Sequence, residues 1–130
     1  MSRNVDVVWT ALEAFGRGDM ETALALVHPE IVSRRIAPLP DPHTYHGPEG
    51  VLEMYADWTA DFGEFELDPL EPEEVGERVL MGLHQTARGR VSGVPVEGTY
   101  WFLFAVEDGL IVWQDAFATR EQALDSLSGP

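Results

Sequence analysis

The carboxylate best placed for chemistry is Asp115, in the run Trp113-Gln114-Asp115-Ala116-Phe117. Strict alternation along a strand would put Ile111, Trp113, Asp115 and Phe117 on one face. If that face lines an apolar pocket, a carboxyl group held between two aromatic rings loses hydration. It can then act as a general acid or base near neutrality. The competing reading pairs Asp115 with an arginine, or with a backbone group near the end of the strand. His84, among Met81, Gly82, Leu83 and Thr86, is the second catalytic candidate, since a neutral imidazole can shuttle a proton or hold a ligand carbonyl. Against it, Val79, Met81 and Leu83 form an apolar face that excludes His84. It reads equally as a hydrogen-bonded histidine on the sheet surface or at an interface.

Arg34 and Arg35 are neighbours in an expected strand and so point to opposite faces. One of them faces inward and needs a carboxylate partner there, with Asp115 the candidate; Arg35 is the ligand-side choice. Trp9, Tyr55, Trp58, Trp101 and Trp113 are candidate walls of a binding pocket, although large aromatics fill cores and line pockets alike. Asp41, His43 and His46 sit in a proline-rich loop without a recognised ligand spacing, so no metal is expected.

Several chemistries are excluded outright. The chain has no cysteine, hence no disulfide, thiolate nucleophile or cysteine-bound metal, and no lysine, hence no Schiff base. No serine occupies a Gly-x-Ser-x-Gly elbow. No cofactor is expected. The formal charge of −15 opposes binding to nucleic acid or to an anionic membrane surface. No apolar run approaches the roughly 20 residues that span a bilayer. The start, MSRNVDVVWTALEAF, carries a charge inside its apolar stretch and does not read as a leader, so the cytoplasm is the expected location.

The elements that must position these residues follow from spacing. At 130 residues the chain is expected to be one domain, 1–130. Val5, Val8, Trp9, Leu12 and Phe15 share a helical face that stops at Gly16-Arg17-Gly18. Asp19 caps a second helix carrying Met20, Ala23, Leu24 and Val27, which Pro29 is expected to end. Ile31–Ile36 reads as a strand, and APLPDPHTYHG as a loop. Gly47-Pro48 opens a third helix with Val51, Met54, Tyr55, Trp58 and Phe62 along its stripe. Phe65 and Leu67 alternate with acids in an edge strand limited by Pro69 and Pro72. Strands follow over Val79–Arg90 and Val94–Val106. Asp108-Gly109 then makes a hairpin into a last strand, Leu110–Ala118. Thr119-Arg120-Glu121-Gln122 fits a capping box ahead of a short final helix. Helices segregated from a run of antiparallel strands give an α+β class.

This order of elements resembles the SnoaL-like, polyketide cyclase-like branch of the nuclear-transport-factor-2-like superfamily, over nearly the whole chain. The resemblance rests on Phe15-Gly16-Arg17-Gly18-Asp19, Leu26-Val27-His28-Pro29-Glu30-Ile31, Tyr45-His46-Gly47-Pro48-Glu49-Gly50-Val51, Ser92-Gly93-Val94-Pro95-Val96, Val106-Glu107-Asp108-Gly109-Leu110-Ile111-Val112 and Glu121-Gln122-Ala123-Leu124. It implies a cone: a curved antiparallel sheet wrapped around amphipathic helices with an apolar pocket inside. Relatives include cyclases, isomerases, epoxide hydrolases, dehydratases and binding modules, so the fold does not choose among activities. The Arg-x-Asp that epoxide hydrolases carry on the neighbouring long strand is replaced here by Met81-Gly82-Leu83-His84-Gln85-Thr86. The first-helix tyrosine of ketosteroid isomerase is also missing.

Two functions are expected on these grounds. One is a small isomerase, cyclase or dehydratase that moves a proton with Asp115 on an apolar, oxygenated substrate. The other is a non-catalytic module that binds an apolar small molecule or dimerises. Because both faces of Tyr100-Trp101-Phe102-Leu103-Phe104-Ala105 are apolar, a homodimer through the outer face of the sheet is expected.

Overall fold

A computed structural model describes residues 3–39 and 42–128. The elements run α1 (Arg3–Gly16), α2 (Met20–Ala25), β1 (Val27–Arg35), β2 (His43–His46), α3 (Gly47–Thr59), β3 (Phe62–Pro69), β4 (Glu73–Val75), β5 (Arg78–Gly89), β6 (Pro95–Glu107), β7 (Leu110–Phe117) and α4 (Arg120–Ser128). The strands form one curved sheet in the order β2-β1-β7-β6-β5-β3, with β4 pairing β5 beyond β3. Asp41 lies outside the described residues; among the described residues no group of three or more metal-ligating side chains comes together. No described helix is long and apolar enough to cross a membrane.

Three of the helices begin for a local reason. The Asp19 carboxylate accepts from the Thr22 amide at 3.2 Å and caps α2. Pro48 supplies a preset φ in the first turn of α3. The Gln122 amide bonds the Thr119 hydroxyl at the start of α4. Asp108 and Gly109 have φ of 51° and 78°, the left-handed pair that a two-residue hairpin needs.

The inner face of the sheet packs on α1 and α3. Val5, Val8 and Ala11 of α1 meet Ile31, Val79, Met81, Leu83, Phe104 and Ile111, and Val8 and Met81 are fully buried. Met54 of α3 packs with Leu39, Tyr45 and Ala116. Burial of each such side chain contributes about 1.5–3 kcal/mol, which holds the helices on the concave side. The Tyr45 hydroxyl donates to Asp57 Oδ2 at 2.7 Å and ties β2 to α3.

Four expectations need correction. Pro29 does not end α2, which stops at Ala25; it lies inside β1, which starts at Val27. The proline-rich loop contains a strand, β2, antiparallel to β1 through pairs such as Ser33 with Tyr45. The sheet is not wholly antiparallel, because β1 lies parallel to β7. The fourth concerns the outer face. α4 folds across it, and Ala123 and Leu124 pack with Leu80, Leu103 and Phe117, each 3% exposed or less. The face expected to lie bare for a second copy is therefore partly covered within the chain. Trp101 remains half-buried beside the covered part.

Candidate functional site

Which side chains reach the interior is decided by one irregularity. β7 pairs with β6 in regular register from Phe117 opposite Trp101 back to Trp113 opposite Ala105, and then Ile111 stands opposite Val106. Val112 is the extra residue of a β-bulge, and a bulge reverses the face that follows it. Ile111, Gln114 and Ala116 consequently point inward, while Trp113, Asp115 and Phe117 point outward. The face expected from strict alternation, Ile111 with Trp113, Asp115 and Phe117, is thus broken after Ile111.

Asp115 is buried, but against β1 on the outer side. Parallel pairing sets Arg34 beside it. Arg34 Nε donates to Oδ1 at 2.8 Å and Nη2 donates to Oδ2 at 2.7 Å, a two-pronged arrangement that fixes both planes. The Arg34 guanidinium lies 4.8 Å above the Trp113 ring. The carboxylate holds the Arg34 proton more tightly than usual and so raises its pKa. Of the two arginines, Arg34 is the partner of Asp115; Arg35 is the inward one and lies 5.0 Å over the Trp58 ring.

His84 also faces outward. Its Nδ1 is 3.1 Å from the Thr99 hydroxyl and its Nε2 is 3.4 Å from Glu97 Oε1. Trp101 and Trp113 stand on this same outer side. Trp9 packs against the main core without lining the cavity. Tyr55 and Trp58 do line it. The eight sequence candidates therefore divide. Tyr55, Trp58 and Arg35 gather at the inner face, Trp9 lies behind it, and Asp115, His84, Trp101 and Trp113 occupy the outer one.

The interior encloses a cavity of about 100 Å³ between α1, α2, α3 and the sheet. Its walls include Leu12, Val51, Met54, Phe102, Phe104 and Ile111. The Trp58 ring meets Tyr100 edge-on at 5.0 Å and Phe102 at 5.9 Å. The polar functions are neutral. Gln114 reaches the cavity and donates from Nε2 to Ser33 Oγ at 2.9 Å. Trp58 Nε1 donates to Gln85 Oε1 at 2.6 Å. Among the described lining residues there is no carboxylate, imidazole or cation. Such walls can exclude water, stack a flat apolar body and offer an amide to a carbonyl or hydroxyl.

Gln85 and Gln114 are the residues that sequence reasoning missed. Gln85 had a signal, because the alternation of Val79, Met81 and Leu83 that excludes His84 continues to Gln85. Gln114 had none, since its direction depends on the bulge.

The sequence profile described as SnoaL-like domain matches residues 8–114. No curated protein matches the chain. Among solved structures the chain is similar to TerC co-crystallised with polyporic acid, at 18% identity and TM-score 0.78 over 98% of this chain and 100% of that one. It is similar to an NTF2-like protein of unknown function from Burkholderia pseudomallei, at 23% identity and TM-score 0.77 over 99% and 100%. It is also similar to IdmH of Streptomyces antibioticus, thought to be a polyketide cyclase, at 22% identity and TM-score 0.74 over 98% and 100%. At these identities the likeness concerns the fold.

Proposed function

The chain belongs to the SnoaL-like domain family, and from that premise we propose that it binds an apolar small molecule bearing a neutral oxygen group in the cavity between its helices and sheet. The observation that carries this reading is the lining: apolar and aromatic walls with one neutral amide, Gln114, reaching in. A carbonyl or hydroxyl of the ligand would meet the Gln114 amide, whose orientation the Ser33 hydroxyl holds. That TerC, of the same fold, was co-crystallised with polyporic acid supports a small molecule as the kind of ligand.

An acid–base enzyme built on Asp115 would need that carboxylate to leave Arg34 and cross to the other side of β7. Both oxygens are already engaged on the outer side, which favours binding over proton transfer at this residue.

The test is uptake of the neutral fluorescent probe N-phenyl-naphthylamine. The wild-type chain is expected to bind it with saturable enhancement. Val51→Phe, which fills the cavity from α3, is expected to abolish uptake while the chain stays folded. Absence of saturable uptake by the wild type, or equal uptake by Val51→Phe, would overturn the reading.

A further inference from the structure

Gln85 and Gln114 are both neutral amides on the inner side of the sheet, and their anchors differ. Gln114 bonds the Ser33 hydroxyl, a group that can donate or accept, so its amide can turn either end toward a ligand. Gln85 bonds the Trp58 indole nitrogen at 2.6 Å. An indole N–H only donates, so it claims Gln85 Oε1 and fixes the direction of the amide. Trp58 is itself held, with the Arg35 guanidinium 5.0 Å from its ring and Tyr100 edge-on at 5.0 Å. The end of Gln85 left for other partners is Nε2, which carries two hydrogens.

Among the described residues Nε2 of Gln85 has no hydrogen-bond partner, and it is not one of the fully enclosed side-chain atoms. Gln85 as a whole is 1% exposed, so the little free surface it keeps includes this nitrogen. Its place in the sheet turns that surface toward the cavity. Leu67 of β3 stands opposite it on one side, Leu83 precedes it on the same face of β5, and Trp58 lies against it. All three line the cavity. On the other side Gly98 of β6 stands opposite and has no side chain to cover the amide. A buried donor without an acceptor is costly, and an oxygen brought by a ligand removes that cost. Gln85 is set back behind the lining side chains, so the oxygen must project from the ligand body, as a ketone oxygen does.

We propose that Gln85 is a second polar contact of the ligand, and that Trp58 locks it as a donor that selects a projecting carbonyl oxygen. This rests on the binding reading above and narrows its ligand class to apolar ketones.

Two planar compounds of nearly one shape test it by titration of the full chain. 2-Acetylnaphthalene offers a ketone oxygen where 2-isopropenylnaphthalene has a methylene group. The ketone is expected to bind about three- to ten-fold more tightly, the scale of one neutral hydrogen bond. The chain has only three glutamines, Gln85, Gln114 and Gln122, so glutamine labelled with nitrogen-15 gives three side-chain amide pairs in an NMR spectrum. The Gln85 pair is identified by its closeness to the Trp58 indole proton. It is expected to shift with the ketone and to stay in place with the hydrocarbon. In Gln85→Met, with folding verified by melting temperature, the preference for the ketone is expected to shrink. If both compounds bind equally, or the Gln85 pair ignores the ketone, the contact is overturned and the binding reading stands. A preference that survives intact in Gln85→Met also overturns it. Should that variant fail to fold, the amide shift in the wild type decides. If neither compound binds, the binding reading falls, and the Gln85 contact falls with it.

Discussion

The two faces of β6 and β7 carry similar aromatic and aliphatic weight and put it to different use. The inner face presents Tyr100, Phe102, Phe104 and Ile111 to a cavity with a neutral amide among them. The outer face presents Trp101, Leu103 and Phe117 to a packed helix, and beside them places charges in pairs: Arg34 with Asp115, His84 near Glu97, Arg120 with Glu73. A charge without a partner is costly in an apolar interior and tolerable where water can reach it. Both faces pack helices, but the charged pairs stand on the outer one and the cavity on the inner one. This placement explains why an aspartate in an aromatic strand is by itself a weak sign of a catalytic site.

The sharpest way to break this comparison uses two adjacent residues. Phe104 and Leu103 are 1% and 3% exposed and point to opposite faces. Phe104→Ala and Leu103→Ala are each expected to cost about 2–5 kcal/mol in urea denaturation, because each leaves a void in packed surroundings. Only Phe104→Ala should change uptake of the neutral probe, since only that side chain borders the cavity. A loss below about 0.5 kcal/mol for Leu103→Ala, the usual size for a surface position, would mean that α4 does not cover the outer face.

Asp115→Asn and Gln114→Leu sharpen the same contrast at smaller scale. Asp115→Asn removes the charged partner of Arg34. Hydrogen bonds to charged groups contribute about 1.5–3 kcal/mol, and the partly exposed guanidinium can turn to water, so about 1–2 kcal/mol is expected. Probe uptake should be unchanged. Gln114→Leu gives up one neutral hydrogen bond with Ser33 and should cost about 1 kcal/mol. It should alter the preference between oxygenated and purely hydrocarbon ligands. If Asp115→Asn changes binding while Gln114→Leu does not, the assignment of the two faces is reversed.

How much of this was legible in the sequence depends on what each feature requires. The helices α1 and α3, the long strands β5 and β6 and the Asp108-Gly109 hairpin follow from periodicity and turn chemistry, which are local. The inward parity of β5 was left open by the sequence, because Leu80 is as apolar as Val79, Met81 and Leu83 beside it, so His84 stayed a candidate until the register placed it outside. The direction of Asp115 was not legible, because one additional residue at Val112 moves it to the other side, and Val112 carries no composition signal for a bulge. The partnership of Arg34 with Asp115 was open as a pair, but its side of the sheet depended on parallel pairing between β1 and β7, which are far apart in the chain. β4 was invisible at three residues beside two prolines. The cover over Leu103 needed the path of α4, whose residues are mostly polar and exposed and show only Ala123 fully buried.

The smallest expected effect lies at the outer edge, where Arg120 of α4 grips Glu73 of β4 with Nε at 3.0 Å and Nη2 at 2.7 Å. The arginine holds the Glu73 carboxyl below the usual range. A carboxyl whose pKa is depressed on folding stabilises the fold above its unfolded value and loses that contribution as pH falls through the folded one. Melting temperature should therefore fall through this pair as the solution is acidified from about 4.3 downward, on top of the decline shared by other carboxylates. Both side chains are nearly half exposed, at 45% and 44%, so solvent screens the pair and its contribution is small. Glu73→Gln should remove that increment at neutral pH and leave the wild type and the variant equally stable well below pH 4, where the wild-type carboxylate is protonated as well. A difference that persists in acid would assign the contribution of Glu73 to packing of β4 against α4 and not to charge.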